Sequence, residues 1–264
     1  MKLPDMKRVK KILVIRPRAI GDVVLTTPFL RALRKAAPQA VIDYVVEPFV
    51  EPSLRGNPNI NGILIVKRHN IKKEPEFVRG MRKNELKKSA PFVKIAEAVR
   101  FYREIITGRY EVVFDLWGNL RTAIMSFLTG AGYRAGFKRR GRAFFYNIKV
   151  SPDINPKYNV FYHMDILKPF GIEPDGEETE FYTSKEDEDF ADSYINSLGL
   201  PEDRLFICLN PLGTWETKRW PENKFAALGD MILEGRKNGF IFINWGPGEK
   251  HHAEMVYDGI KCGR

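Results

Sequence analysis

Lys11–Asp22, KILVIRPRAIGD, is an apolar run that breaks at a proline and closes on a glycine and a carboxylate. Ile12 to Arg16 reads as a buried strand, Pro17 and Gly21 break it, and VVLTTPFLRALRKAA from Val23 shows helical spacing. Asp22 therefore falls at or just before a helix N-terminus, at the carboxyl end of a strand. An aspartate in that place caps the helix by accepting a backbone N–H, or it is a reacting group, since open α/β sheets bind ligands at the carboxyl ends of their strands. This stretch alone leaves both readings open.

The strand and helix alternation continues downstream. Strands are expected at 11–16, 40–46 (AVIDYVV), 62–66 (GILIV) and 110–115 (YEVVFD), with helices at 23–36, about 92–107 and about 120–129. Such alternation predicts a mostly parallel sheet covered by helices on both faces. Asp115 and Gly118 also fall at a strand end. From 171 to 187 the sequence GIEPDGEETEFYTSKED loses apolar periodicity and turns acidic, which reads as a linker. A second alternation follows. Strand 204–210 (RLFICLN) leads through PLGTWETKRWP to a helix at 222–237, and strand 240–245 (FIFINW) leads through GPGEK to a short helix. Two strands leave both sheet edges open, so this second domain is expected either to be incomplete or to have its edge covered by something else. The fold expected is α/β, with Rossmann-like domains at 1–175 and 186–264.

A chain of 264 residues with 44% hydrophobic content holds two domains of ordinary size or one large one. No run of about eighteen apolar residues occurs, so no membrane-spanning helix is expected. The charged start MKLPDMKRVKK runs into a strand too short for a signal-peptide core, which predicts a cytoplasmic protein. Cys208 and Cys262 match no metal spacing and suggest no disulfide framework; one buried thiol and one terminal thiol are expected. The net charge of +10 is unevenly spread. Residues 1–170 carry 33 Lys and Arg against 14 Asp and Glu, and residues 171–264 carry 10 against 19. Two parts of opposite sign point to two domains with different ligands, the basic one facing a polyanion.

Two loops in the second part suit a nucleotide. PLGTWETKRWP, residues 211–221, offers Gly213, hydroxyls on Thr214 and Thr217, and cations on Lys218 and Arg219 just before a helix, groups that hold a phosphate. The plain alternative is a turn with Pro221 at the first helical position. WGPGEK, residues 245–250, ends in Glu249, which serves either as a ribose contact or as a helix cap. Neither the GxxxxGK[ST] nor the GxGxxG pattern is present.

Cations cluster at Lys67–Lys88 and Tyr133–Ser151, interleaved with Phe77, Val78, Met81, Phe92, Phe137, Phe144 and Phe145. This is either a surface for an amphiphilic anion at a membrane or a solvated charged face. Without RNP1, KH or zinc-knuckle patterns, nucleic acid is the least favoured partner. His163 lies among Phe161, Met164, Ile166 and Leu167 and reads as structural. His69, His251 and His252 fall in polar loops without an HxxxH partner, so no metal site is expected.

Together these residues resemble glycosyltransferase family nine, the heptosyltransferases that add ADP-activated heptose to the inner core of lipopolysaccharide. The matching pieces are KILVIRPRAIGDVVLTTPFLRALRKAAPQAVIDYVV, FDLWGNLRTAIMSFLTGAGYRAGF, LNPLGTWETKRWPENKFAALGDMI and INWGPGE, in that order along nearly the whole chain. The resemblance implies a GT-B architecture in which the first domain binds acceptor and the second binds nucleotide sugar. It implies an inverting glycosyltransferase without a cofactor, with Asp22 as general base. Thr214 and Lys218 would contact the donor diphosphate and Glu249 its ribose; Gly213, in the same loop, stands where some relatives place another donor-contacting Thr. Acceptor contacts are expected from Arg16, Arg18, Asn119, Arg121, Arg139 and Arg140, toward a lipid-linked acidic glycan at the inner face of the inner membrane. Relatives continue into further strand and helix units with a DTG...H loop, which this chain lacks. The alternative is a non-catalytic relative that binds anionic glycolipid through its basic domain.

Overall fold

The computed structural model describes residues 2–67, 91–138, 141–151, 159–213 and 216–262. The elements, in chain order, are β1 (Lys11–Ile15), α1 (Ile20–Val24), α2 (Thr27–Ala36), β2 (Val41–Val46), β3 (Gly62–Ile65), α3 (Pro91–Thr107), β4 (Val112–Asp115), α4 (Leu120–Leu128), β5 (Tyr133–Phe137), β6 (Ile148–Val150), α5 (Asn159–Met164), α6 (Lys185–Ser197), β7 (Leu205–Leu209), α7 (Glu222–Gly235), β8 (Gly239–Ile243) and α8 (Lys250–Gly259). Short 3-10 turns lie at Ala143–Phe145, Asp165–Phe170 and Glu216–Lys218. The described residues divide into two compact units, one ending at Ser184 and the other beginning at Lys185.

The first unit is built on a six-stranded, all-parallel sheet in the order β3-β2-β1-β4-β5-β6. Apolar side chains alternate along β1 between two cores. Ile12 and Val14 face Phe29, Leu33, Ile42 and Phe114; Leu13 and Ile15 face Phe101, Ile105, Val113 and Met125. A strand packed on both faces needs the unbroken apolar run that KILVI supplies. The chain runs outward from β1 through β2 and β3, then returns to β4 on the other side of β1 and continues to β5 and β6. The connections after β1 and β4 therefore leave in opposite directions, and the carboxyl ends of these two strands are where open α/β sheets place their ligand crevice.

Several boundaries differ from the sequence reading. The expected helix 23–36 is two helices. Thr26 and Thr27 turn their hydroxyls onto the carbonyls of Val23 (2.7 Å) and Val24 (2.8 Å), and Pro28 has no N–H to continue the ladder. Asp22 thus lies inside the first turn of α1, three residues after the cap Ala19, rather than before the helix. β5 and β6 fall in the segment read only for its cations, and α6 begins inside the stretch read as a linker. The rest of that stretch is tied to α2: Arg31 donates to the carbonyl of Asp175 (2.8 and 2.9 Å), and Lys35 meets the Asp175 carboxylate at 2.9 Å. α2 thus meets the charge of Asp175 and Glu180, while Glu173, Glu177 and Glu178 remain exposed.

In the second unit β7 and β8 form a two-stranded parallel sheet. α7 and α8 pack together around Ala226, Val256 and Ile260. Phe206 and Cys208, alternating on one face of β7, remain exposed. The thiol expected to be buried is therefore open, because Leu209 alone of this strand is buried.

Candidate active site

The crevice of the first unit is lined by the loops that leave β1 and β4. In the first loop, Nη2 of Arg16 meets Oδ2 of Asp22 at 3.0 Å, and the same oxygen accepts from the Ala19 N–H at 3.3 Å. Asp22 is nevertheless 41% exposed at its side chain, against 14% for Arg16. The carboxylate is held through one oxygen while its surface stays open to solvent. From the second loop comes Trp117, whose ring faces two guanidiniums, those of Arg16 at 5.2 Å and Arg18 at 5.4 Å. An indole face attracts cations, so the tryptophan draws the cations of the first loop against the second. Arg16 Nη1 adds a long bond to the Leu116 carbonyl, 3.5 Å.

Asp115 fixes the second loop. It is fully buried; Oδ1 accepts from the N–H groups of Trp117 (3.0 Å) and Gly118 (2.9 Å), and Oδ2 accepts from the Tyr146 hydroxyl (2.6 Å). Burial raises its pKa, and these hydrogen bonds oppose that rise. Gly118 sits at φ 67°, a left-handed conformation that favours glycine. The Tyr146 ring reaches Asp115 across β5, where a Cβ on Gly136 would stand 2.5 Å from its Cζ. Glycine at 136 is what lets the ring lie there.

Beneath the crevice, Tyr44 shares a 2.8 Å hydrogen bond with Thr26, and burial pushes its phenol pKa up. His163 of α5 is 3% exposed and its Nδ1 has no hydrogen-bond partner. Burial pushes its imidazole down to about 3, the Arg16 charge acts in the same direction, and Asp22 opposes both. It is a buried, neutral histidine within reach of the Arg16 and Asp22 charges.

Of the expected acceptor residues, Arg16 and Arg18 line the crevice. Asn119 caps α4, accepting from the Thr122 N–H at 2.9 Å, and Arg121 donates to the Lys67 carbonyl at 2.8 Å. Arg139, Arg140, Thr214 and all of the 67–88 basic cluster except Lys67 lie outside the described residues. Sequence reading missed Trp117 and Tyr146, and it took Arg142 only as one cation of the 133–151 cluster; its Nη1 donates to the Gly118 carbonyl at 3.1 Å. Trp117 was legible from its place after a strand. Tyr146 carried no local signal, since its partner lies 31 residues away.

In the second unit, one arginine joins the two loops singled out for a nucleotide. Arg219 donates from Nε to the Gly213 carbonyl (2.6 Å) and from Nη1 to Nε2 of His252 (2.9 Å), and its Nη2 stands 3.5 Å from Oε1 of Glu249. Nδ1 of His252 then donates to Glu222 at 2.6 Å. Glu222's pKa is lowered, first by its own backbone N–H and also by His252 and Arg219. Arg219, read as a phosphate cation, is thus engaged internally, whereas Lys218 is exposed. Glu249 is 5% exposed. His251 and His252, expected in a loop, lie in the first turn of α8. A Cβ on Gly213 would meet Arg219 Cγ at 3.7 Å and the Lys218 backbone at 3.8 and 4.0 Å, all ordinary contacts. Among the described residues no group of three or more His, Cys, Asp or Glu is placed to hold a metal ion, and no helix is long and apolar enough to cross a membrane.

A doubly wound sheet with its crevice at the β1 and β4 ends is the layout of nucleotide-binding α/β proteins. Solved structures share the fold. The glycosyl transferase family 9 protein from Veillonella parvula matches with a TM-score of 0.77 at 24% identity, over 96% of this chain and 67% of that one. E. coli heptosyltransferase WaaC, solved with ADP-2-deoxy-2-fluoro heptose, matches with a TM-score of 0.66 at 21% identity, over 95% of this chain and 74% of that one. The fold is of the GT-B type that these heptosyltransferases have. The chain belongs to glycosyltransferase family 9 (heptosyltransferase), whose pattern matches residues 98–262. It is 25% identical to lipopolysaccharide heptosyltransferase 1 of Campylobacter coli, over 89% of this chain and 64% of that protein. It is 21% identical to lipopolysaccharide heptosyltransferase 2 of E. coli K12, over 92% and 65%. The chain thus spans somewhat less than two thirds of the length of these curated relatives.

Proposed function

We propose that the protein is an inverting glycosyltransferase that moves a heptose, or a similar sugar, from an ADP-sugar to a lipopolysaccharide inner-core acceptor. The observation that carries this reading is the exposed Asp22 carboxylate, oriented by Arg16 at the carboxyl end of β1. Asp22 takes the proton of an acceptor hydroxyl as that oxygen attacks the anomeric carbon. The bond from that carbon to the diphosphate breaks, its electron pair leaves with ADP, and the configuration inverts. The exposed Lys218 offsets the charge that builds on the departing diphosphate, with Thr214 and the Gly213 backbone as further contacts. Glu249 serves the donor ribose. Arg16, Arg18, Asn119, Arg121, Arg139 and Arg140 bind the phosphates and acidic sugars of the acceptor. The excess of cations in residues 1–170 fits peripheral attachment to the cytoplasmic face of the inner membrane, where a lipid-linked acceptor would be presented.

The test is transfer from ADP-heptose to a heptose-deficient core, comparing the chain with Asp22→Ala. Transfer that depends on Asp22 supports the reading, and transfer that survives its removal sinks the general base. Glycolipid binding with no transfer by either protein points to a binding module instead.

A further inference from the structure

Helix α4 is apolar on both sides. Thr122, Ala123, Met125 and Ser126 face the core, while Leu120, Phe127 and Leu128, at spacings of seven and eight that share one face, are exposed. A helix at the surface of a soluble protein ordinarily turns polar side chains outward. The 3-10 turn Ala143–Phe145 extends this face: the Phe145 ring lies 5.9 Å from both Phe127 and Phe144, and Phe144 is 81% exposed. The segment that carries this face is of one sign, while α3, packed beside α4, adds Glu97, paired with Lys67, and Glu104. Residues 116–151 hold seven Lys and Arg and no Asp or Glu. Lys138 and Lys149 are exposed there, and the Arg134 guanidinium lies 5.6 Å from the Phe127 ring centroid.

We propose that Leu120, Phe127, Leu128 and Phe144 form a wedge that enters the interface of an anionic phospholipid bilayer, with the surrounding cations on its headgroups. Apolar side chains beside cations, with no acidic residue in the segment, complement such a surface in both respects. A polyanion in solution would use the cations and leave the apolar side chains idle. The position also fits: Leu120 directly follows Asn119 and the loop that Asp115 holds, so docking through α4 brings the candidate active site to the lipid surface. The inference deepens the membrane reading above and rests on it.

The experiment is cosedimentation of the full chain with vesicles of phosphatidylcholine alone and of phosphatidylcholine and phosphatidylglycerol in equal parts. Thermal unfolding and light scattering without vesicles accompany it. Binding to the anionic vesicles only is expected, weakened by salt. Phe144→Ser with Leu128→Ser should lower the vesicle affinity about tenfold at an unchanged unfolding midpoint, and Lys138→Glu with Lys149→Glu should lower it further. If wild type and Ser variant bind anionic vesicles equally, this surface is wrong and the membrane reading stands. If the wild type binds neither vesicle, both fall. Self-association in solution that the Ser variant abolishes, without vesicle binding, would assign the face to a second copy and overturn the proposal. Because no sugar transfer is measured, these outcomes are separate from the fate of Asp22.

Discussion

Arg16, which follows β1, and Asp22, in the first turn of α1, meet at 3.0 Å through Nη2 and Oδ2, the oxygen that also accepts from the Ala19 N–H. Asp22→Asn keeps the shape and the Ala19 contact but has no charge with which to take a proton. Its kcat for sugar transfer should fall about 10²- to 10⁴-fold with little change in KM. A fall confined to KM would make Asp22 a binding group.

His163 gives the first unit a pH dependence whose sign follows from its burial. Its imidazole titrates at about 3 when folded against 6.5 in a free side chain, with Arg16 and Asp22 the charges that act on it. Between those values the unfolded chain binds more protons, so stability rises with pH. Going down from pH 6.5 toward 3, the wild type should lose up to about 1.4 kcal/mol per pH unit from this group. Urea unfolding of His163→Gln should show a correspondingly shallower slope; parallel profiles for the two proteins would remove the effect.

Gly213 and Lys218 make opposite predictions in one loop. Lys218→Ala should weaken ADP binding about tenfold and leave acceptor binding intact. In Gly213→Thr the added Cβ makes only ordinary contacts, with Arg219 and the Lys218 backbone, so it should fold as the wild type does. If the loop holds the diphosphate, the added hydroxyl should raise ADP affinity a few-fold. Calorimetric titration with ADP checks both, and acceptor binding lost in Lys218→Ala would contradict its assignment.

Arg219 is the strut between the two nucleotide loops. Arg219→Lys keeps the charge but cannot span Gly213, His252 and Glu249 together, so ADP affinity should drop about tenfold. His252→Gln, which retains an acceptor toward Arg219, should keep most of the affinity that His252→Phe loses. Equal affinities for the two His252 variants would show that the histidine does not set the strut.

Much of the first unit was legible because its signals are local. KILVI needs only its own composition to be read as a two-sided strand, and the break at Pro17 and Gly21 places Asp22 within a few residues of its true position. The second unit's loops were legible for the same reason. What escaped depends on distant partners. β5 and β6 are short and carry Arg134, Gly136 and Lys149, so charge hid their pairing. Arg219 shows its chemistry only when His252 and Glu249 arrive from 33 and 30 residues away. The double threonine that splits the α1 and α2 helices was visible in the chain, yet its effect depends on Tyr44 from β2 as well as on local carbonyls.

The Tyr146 ring and a side chain at 136 cannot occupy the same space, so these two positions are bound to evolve together. A lineage that gained a methyl group at 136 would have to give up the ring at 146, and with it the hydroxyl that reaches Asp115. Among descendants of this protein, glycine at 136 should therefore accompany an aromatic residue at 146, and its loss should be followed by a new partner for that aspartate.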